Sequence, residues 1–99
     1  MAKIERANEA VGKSPTEVYE AAIQAFEESG FTVWKKRPIA WLMMVRKSVD
    51  GKTIDGNLSA RMGPVTSYIL TLAADDLSED KIIQSAELVV ETLNRILSA

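Results

Sequence analysis

Apolar positions along the chain change period twice. From residue 14 to 29, and again from 78 to 97, they recur at steps of three and four, the spacing of an amphipathic helix. From 31 to 74 they alternate with polar residues, the spacing of strands. In the last segment Ile82, Ala86, Val89, Leu93 and Ile96 form one row, and Ile83, Val90 and Leu97 form a second, seven residues apart. Ser78 is the expected N-cap, with Glu79 and Asp80 in the first turn, where the helix dipole favours negative charge. Each such aliphatic side chain gains about 1.5–3 kcal/mol on burial, so a stripe this wide needs a broad partner. The alternating segment is that partner.

Ser14-Pro15-Thr16-Glu17 predicts the start of the first helix. Ser14 and Glu17 have capping-box spacing, and Pro15 falls at the first helical position, where a missing N–H costs nothing. Val18, Tyr19, Ala22, Ile23 and Phe26 share a face, and Gly30 is placed to end the helix with Phe31 folded back on it. Residues 3–11 are read as a strand. Strands are then expected over 31–37, 39–48, 57–62 and 65–74. In the second of these Trp41, Met43 and Val45 point one way and Leu42 and Met44 the other. In the third Leu58, Ala60 and Met62 point inward. Asp50-Gly51 predicts a hairpin turn, and Gly56 a bulge. Short links make the strands antiparallel, which leaves both helices one face to cover. The expected fold is an α+β two-layer sandwich, a four- or five-stranded antiparallel sheet with two helices on one face, in the order β-α-β-β-β-β-α. With 99 residues, a single domain is expected over 1–99.

Composition narrows the chemistry. There is no cysteine and no histidine, which removes thiolate chemistry, the commonest general base and the commonest metal ligand. No phosphate-binding glycine pattern occurs. The adjacent carboxylates Glu27/Glu28 and Asp75/Asp76 read as solvated charge. No catalytic residue, metal or cofactor is expected. Residues 1–14 carry no apolar run of signal-peptide length, and nothing approaches a bilayer span, so a cytoplasmic location and no membrane partner are expected. Charge is uneven: residues 34–61 hold seven basic and two acidic side chains, whereas 62–99 hold two basic and six acidic.

Two stretches carry a family resemblance. Lys3-Ile4-Glu5-Arg6, followed by Ser14-Pro15-Thr16-Glu17-Val18-Tyr19-Glu20-Ala21, resembles the opening of small helix-grip domains of the START and polyketide-cyclase superfamily, and residues 78–97 look like their gripped C-terminal helix. The TATA-binding-protein-like fold has a similar order of elements and is an equal comparison. The helix-grip resemblance implies an apolar small molecule between long helix and sheet, against Trp41, Met43, Tyr68, Val89 and Leu93. The chain is short for that family and has fewer strands, which reduces the room for a cavity.

The functional expectation is a small non-enzymatic binding or interaction module. Its contact surface is the sheet face away from the helices, where alternation places Trp34, Lys36, Leu42, Met44, Arg46, Arg61 and Ile69. A homodimer or another protein is the first expected partner. The apolar ligand of the helix-grip resemblance is the alternative. Nucleic acid on the basic sheet face is a second alternative, since an aromatic and several cations can stack on bases and contact phosphates.

Overall fold

The computed structural model describes residues 2–99. The elements run β1 (Ala2–Glu9), α1 (Pro15–Glu28), β2 (Thr32–Arg37), a single 3-10 turn (Pro38–Ala40), β3 (Leu42–Val49), β4 (Lys52–Arg61), β5 (Ser67–Ala74) and α2 (Glu79–Ser98). The five strands form one antiparallel sheet in the order β1-β5-β4-β3-β2. This is the expected α+β sandwich. The first strand pairs with the last, so residues at opposite ends of the chain close the sheet.

Both helices lie on one face. α1 packs over β2, β3 and β4, and α2 over β1 and β5, with the two helices against each other. Ile4, Met43, Val45, Ile54, Leu58, Tyr68, Leu70 and Leu72 project from the sheet into one core with Val18, Phe26, Ile82, Val89 and Leu93. The rows of α2 divide as their phase dictates. Ile82, Ala86, Val89 and Leu93 are fully buried, while Ile83, Val90, Ile96 and Leu97 are half-buried at its margin.

The ends of α1 form as the sequence predicts. Glu17 N–H donates to Ser14 Oγ at 3.1 Å, and Ser14 N–H donates to Glu17 Oε1 at 3.0 Å. Gly30 has φ of 87°, and Phe31 N–H reaches back to the Phe26 carbonyl at 2.9 Å. The Phe26 and Phe31 rings meet edge to face at 5.3 Å. Asp50 and Gly51, with φ of 53° and 75°, form the two-residue turn between β3 and β4, a connection that needs positive φ at both positions.

Four local expectations are corrected. The strand expected over 39–48 begins at Leu42: Pro38, which has no N–H to give a ladder, starts a 3-10 turn, and Trp41 N–H closes it on the Pro38 carbonyl at 3.1 Å. Gly56 is not a bulge, since β4 pairs continuously through it with Val45 on one side and Leu72 on the other. The bulge falls between Val33 and Lys35 in β2. Met62 does not point into the core; β4 ends at Arg61 and Met62 is 71% exposed. Ser78 caps α2 by position, but its side chain accepts no capping hydrogen bond.

Candidate functional site

Among the described residues, no helix covers the far side of the sheet. The strand register fixes what lies there. Lys3, Ala73, Asp55, Arg46 and Thr32 form one cross-strand row; Glu5, Thr71, Asn57, Met44 and Lys35 form the next; Ala7, Ile69, Ser59, Leu42 and Arg37 form the third. Leu42, Met44 and Ile69 are only half-buried, and Trp34 is 49% exposed. An apolar patch therefore crosses from β2 to β5 with polar residues between and around it.

Of the residues expected on this face, Trp34, Leu42, Met44, Arg46, Arg61 and Ile69 are there. Lys36 is not. The bulge puts an extra residue into β2, so Lys35 opposes Met44 and Lys36 opposes the inward-pointing Met43. Strict alternation exchanges Lys35 and Arg37 for Lys36. No residue type in Thr32–Arg37 marks a bulge, so the sequence offers no signal for the exchange.

Trp34 is the ridge of the surface. It lines a hollow of about 440 Å³ with Met44, Arg46, Asp55, Asn57 and Thr71, and a smaller one of about 150 Å³ with Lys35, Arg37, Leu42 and Met44. The Arg46 guanidinium lies 5.3 Å from the Trp34 ring centroid, and its Nε donates to Asp55 Oδ1 at 2.9 Å. Both members of that ion pair are more than half exposed, so it contributes little to stability. Its effect is to hold the cation over the indole and to offset the charge of Arg46. The cations that remain, Lys3, Lys35, Arg37 and Arg61, stand toward the margins of the face. Both sheet edges are charged or irregular: β1 carries Lys3, Glu5, Arg6 and Glu9, and β2 carries its bulge and Lys35-Lys36-Arg37. Such edges resist strand addition, which leaves the face as the surface for contact.

The other set of residues lies between helices and sheet. Met43, Tyr68, Val89 and Leu93 are each at most 1% exposed and belong to the core. They line none of the five most distinct hollows among the described residues. The Tyr68 hydroxyl accepts from Asn8 Nδ2 at 3.2 Å, and burial pushes its pKa up. Trp41 borders them on the helix side, half-buried against the core instead of within it. It heads β3 in a left-handed conformation and its indole N–H donates to Thr16 Oγ1 at 3.3 Å. Beside it, the Tyr19 hydroxyl donates to the Leu42 carbonyl at 3.1 Å, so α1 clamps this segment from above. Among the described residues no group of three acidic side chains converges to hold a metal ion.

No protein-family model matches the chain, and no curated protein matches it by sequence. Solved structures do match in shape. TTHA0849 from Thermus thermophilus superposes with a TM-score of 0.60 at 12% identity, over 97% of this chain and 95% of that one. The ZhuI aromatase/cyclase from Streptomyces sp. R1128 gives 0.57 at 13% identity, over 97% and 91%. Ara h 8.0201 gives 0.51 at 10% identity, over 98% of each chain. The last two are helix-grip proteins, and the likeness establishes that this chain has a helix-grip fold.

Proposed function

We infer that this protein is a non-enzymatic binding module whose contact surface is the open face of the sheet. The observation that carries this reading is the uncovered patch of Trp34, Leu42, Met44 and Ile69 on a face that no helix or loop covers among the described residues. Apolar surface left in water at a sheet face gains free energy when a partner covers it, at about 25 cal/mol per Å². The partner favoured is a protein, a second copy of the chain foremost, because the face is broad, its apolar centre is rimmed by both signs of charge, and its edges discourage strand pairing. Sedimentation velocity over a micromolar concentration series tests this. Reversible association is expected, and Met44→Lys should weaken it. A strict monomer throughout would count against it.

Nucleic acid on the same face is a weaker fit. Asp55 offsets Arg46, Glu5 lies in the second row, and the middle of the face is apolar. If it did bind there, an oligonucleotide would be retarded at low salt and released by Arg61→Ala.

A second reading follows from the fold. Helix-grip architecture, and a structural neighbour described as an aromatase/cyclase, support a small-molecule binder. Here the space between helix and sheet is filled by Met43, Tyr68, Val89 and Leu93, so a ligand would have to open the core. Apolar ligands commonly need about 300 Å³ or more. Thermal unfolding with a panel of apolar aromatic compounds separates the readings, since a ligand of the core raises Tm and leaves the open face unchanged.

A further inference from the structure

Three loops meet at one end of the sheet. Residues 10–14 join β1 to α1, residues 38–41 join β2 to β3, and residues 62–66 join β4 to β5. Hydrogen bonds tie them into one surface. Ala10 N–H donates to the Thr66 carbonyl at 2.7 Å, and Ala60 N–H donates to the Trp41 carbonyl at 2.9 Å. At their tips stand the three most exposed large apolar side chains among the described residues: Ile39 at 99%, Val11 at 77% and Met62 at 71%. Trp41, at positive φ, fixes the turn that presents Ile39; a bulky residue seldom takes this conformation, and such strain concentrates at functional sites.

Charge at this end is predominantly positive. Lys13, Lys35, Lys36, Arg37 and Arg61 lie in or beside the three loops, against the two carboxylates that flank the first loop, Glu9 in the row of Arg61 and Glu17 bound to the Ser14 amide. The loops at the opposite end of the sheet carry Asp50, Asp75 and Asp76, with Glu79 and Asp80 opening α2. Lys81 pairs with Asp50 and Lys52 lies beside Asp75 and Asp76, so the far end is net acidic, while the apolar-tipped end is net cationic.

We propose that the end built from residues 10–14, 38–41 and 62–66 docks on the surface of an anionic phospholipid bilayer. Ile39, Met62 and Val11 enter the boundary between headgroups and acyl chains, and the flanking cations meet the phosphates. Separate aliphatic tips on three loops fit a fluid medium, whereas a protein partner would need a matching pocket for each. Base stacking would need exposed aromatic rings, which these tips lack. Apolar insertion combined with attraction to anionic lipid is the established basis of interfacial binding, and the acidic far end orients the approach. Expecting no membrane partner followed from the lack of a spanning segment; three single residues far apart in sequence leave no mark in a hydropathy profile. This surface shares the marginal cations Lys35, Arg37 and Arg61 with the open sheet face but none of its apolar residues, so the Ile39/Met62 and Met44 variants separate the two proposals.

Co-sedimentation with extruded vesicles tests the proposal, comparing phosphatidylcholine alone with phosphatidylcholine containing phosphatidylserine. The full chain should bind the phosphatidylserine vesicles, release from them as salt rises, and bind neutral vesicles at least roughly tenfold more weakly. Ile39→Asp with Met62→Asp should reduce binding roughly tenfold or more without changing Tm, because both side chains already lie in water. Lys36→Ala with Arg37→Ala gives a second route that keeps the loops intact. Leu88→Asp, at an exposed apolar residue of α2, should bind as the unaltered chain does. No binding at low salt, equal binding to neutral vesicles, or equal loss in the Leu88 variant would overturn the proposal.

Discussion

Gly56 occupies a strand position where a side chain has no room. It lies mid-β4 with Val45 and Leu72 across from it, and a Cβ built there would strike the Leu72 side chain and the Thr71 carbonyl oxygen. Gly56→Ala should destabilise the fold by about 1–3 kcal/mol, read as a lowered midpoint in urea, since the clash involves backbone as well as side chain. The Asp55-Gly56 dipeptide signals a special backbone position, and so it is, but the requirement is closeness between strands instead of a bulge. Sequence alone cannot separate the two, because both ask for the same missing Cβ. Ser29 shows a contrasting residue-scale feature: its hydroxyl is buried without a hydrogen-bond partner among the described residues. Ser29→Ala should leave Tm unchanged or raise it, as nothing is lost but an unsatisfied polar group.

Among the elements, α1 was the most legible, because its ends depend on chemistry within four residues. Ser14, Pro15, Glu17 and Gly30 each stand where local rules put them. Ser14→Ala should cost about 1 kcal/mol in chemical denaturation. The same end of the helix links stability to pH. The Ser14 backbone amide, followed by its hydroxyl and Lys13, holds the Glu17 carboxyl below its ordinary value. Glu28 is lowered by the Gln24 amide and by Arg95, and Asp50 by Lys81. With lowered folded-state pKa values, the folded protein binds fewer protons than the unfolded chain. The stability these groups add is complete above the ordinary carboxylate range and is lost as pH falls through the lowered values. Tm should therefore drop below about pH 4.5, and less steeply in Glu17→Gln. β2 and β3 were less legible. A bulge and a 3-10 turn, separated by two residues, shift the alternation that placed Lys36 and the start of the strand expected from residue 39. Both are settled by pairing with β3 and by the hold of Thr16 and Tyr19 on the segment, and those partners lie far away in sequence.

At the scale of the molecule, the helical period of residues 78–97 and the alternation of 31–74 together implied a sandwich, and the sheet does meet both helices on one face. Leu93, fully buried, anchors that contact, and Leu93→Ala should cost about 2–5 kcal/mol. The position of β1 was open at the sequence level, because only Ile4 among its residues is a large aliphatic; its pairing with β5 follows from the sheet's need for an outer neighbour there. The open face was legible as a class of surface, since alternation leaves apolar residues on both sides of β3, but its partner is a matter of chemistry across an interface. The methionines offer one measurement that looks at that interface directly. Met43 lies in the core, Met44 on the open face and Met62 at the loop end. Their ε-methyl NMR signals, recorded with a soluble paramagnetic probe across a concentration series, report each surface separately. Association through the open face predicts that Met44 becomes shielded from the probe as concentration rises, while Met43 stays shielded and Met62 stays accessible. A Met44 methyl equally open to the probe at every concentration would contradict it.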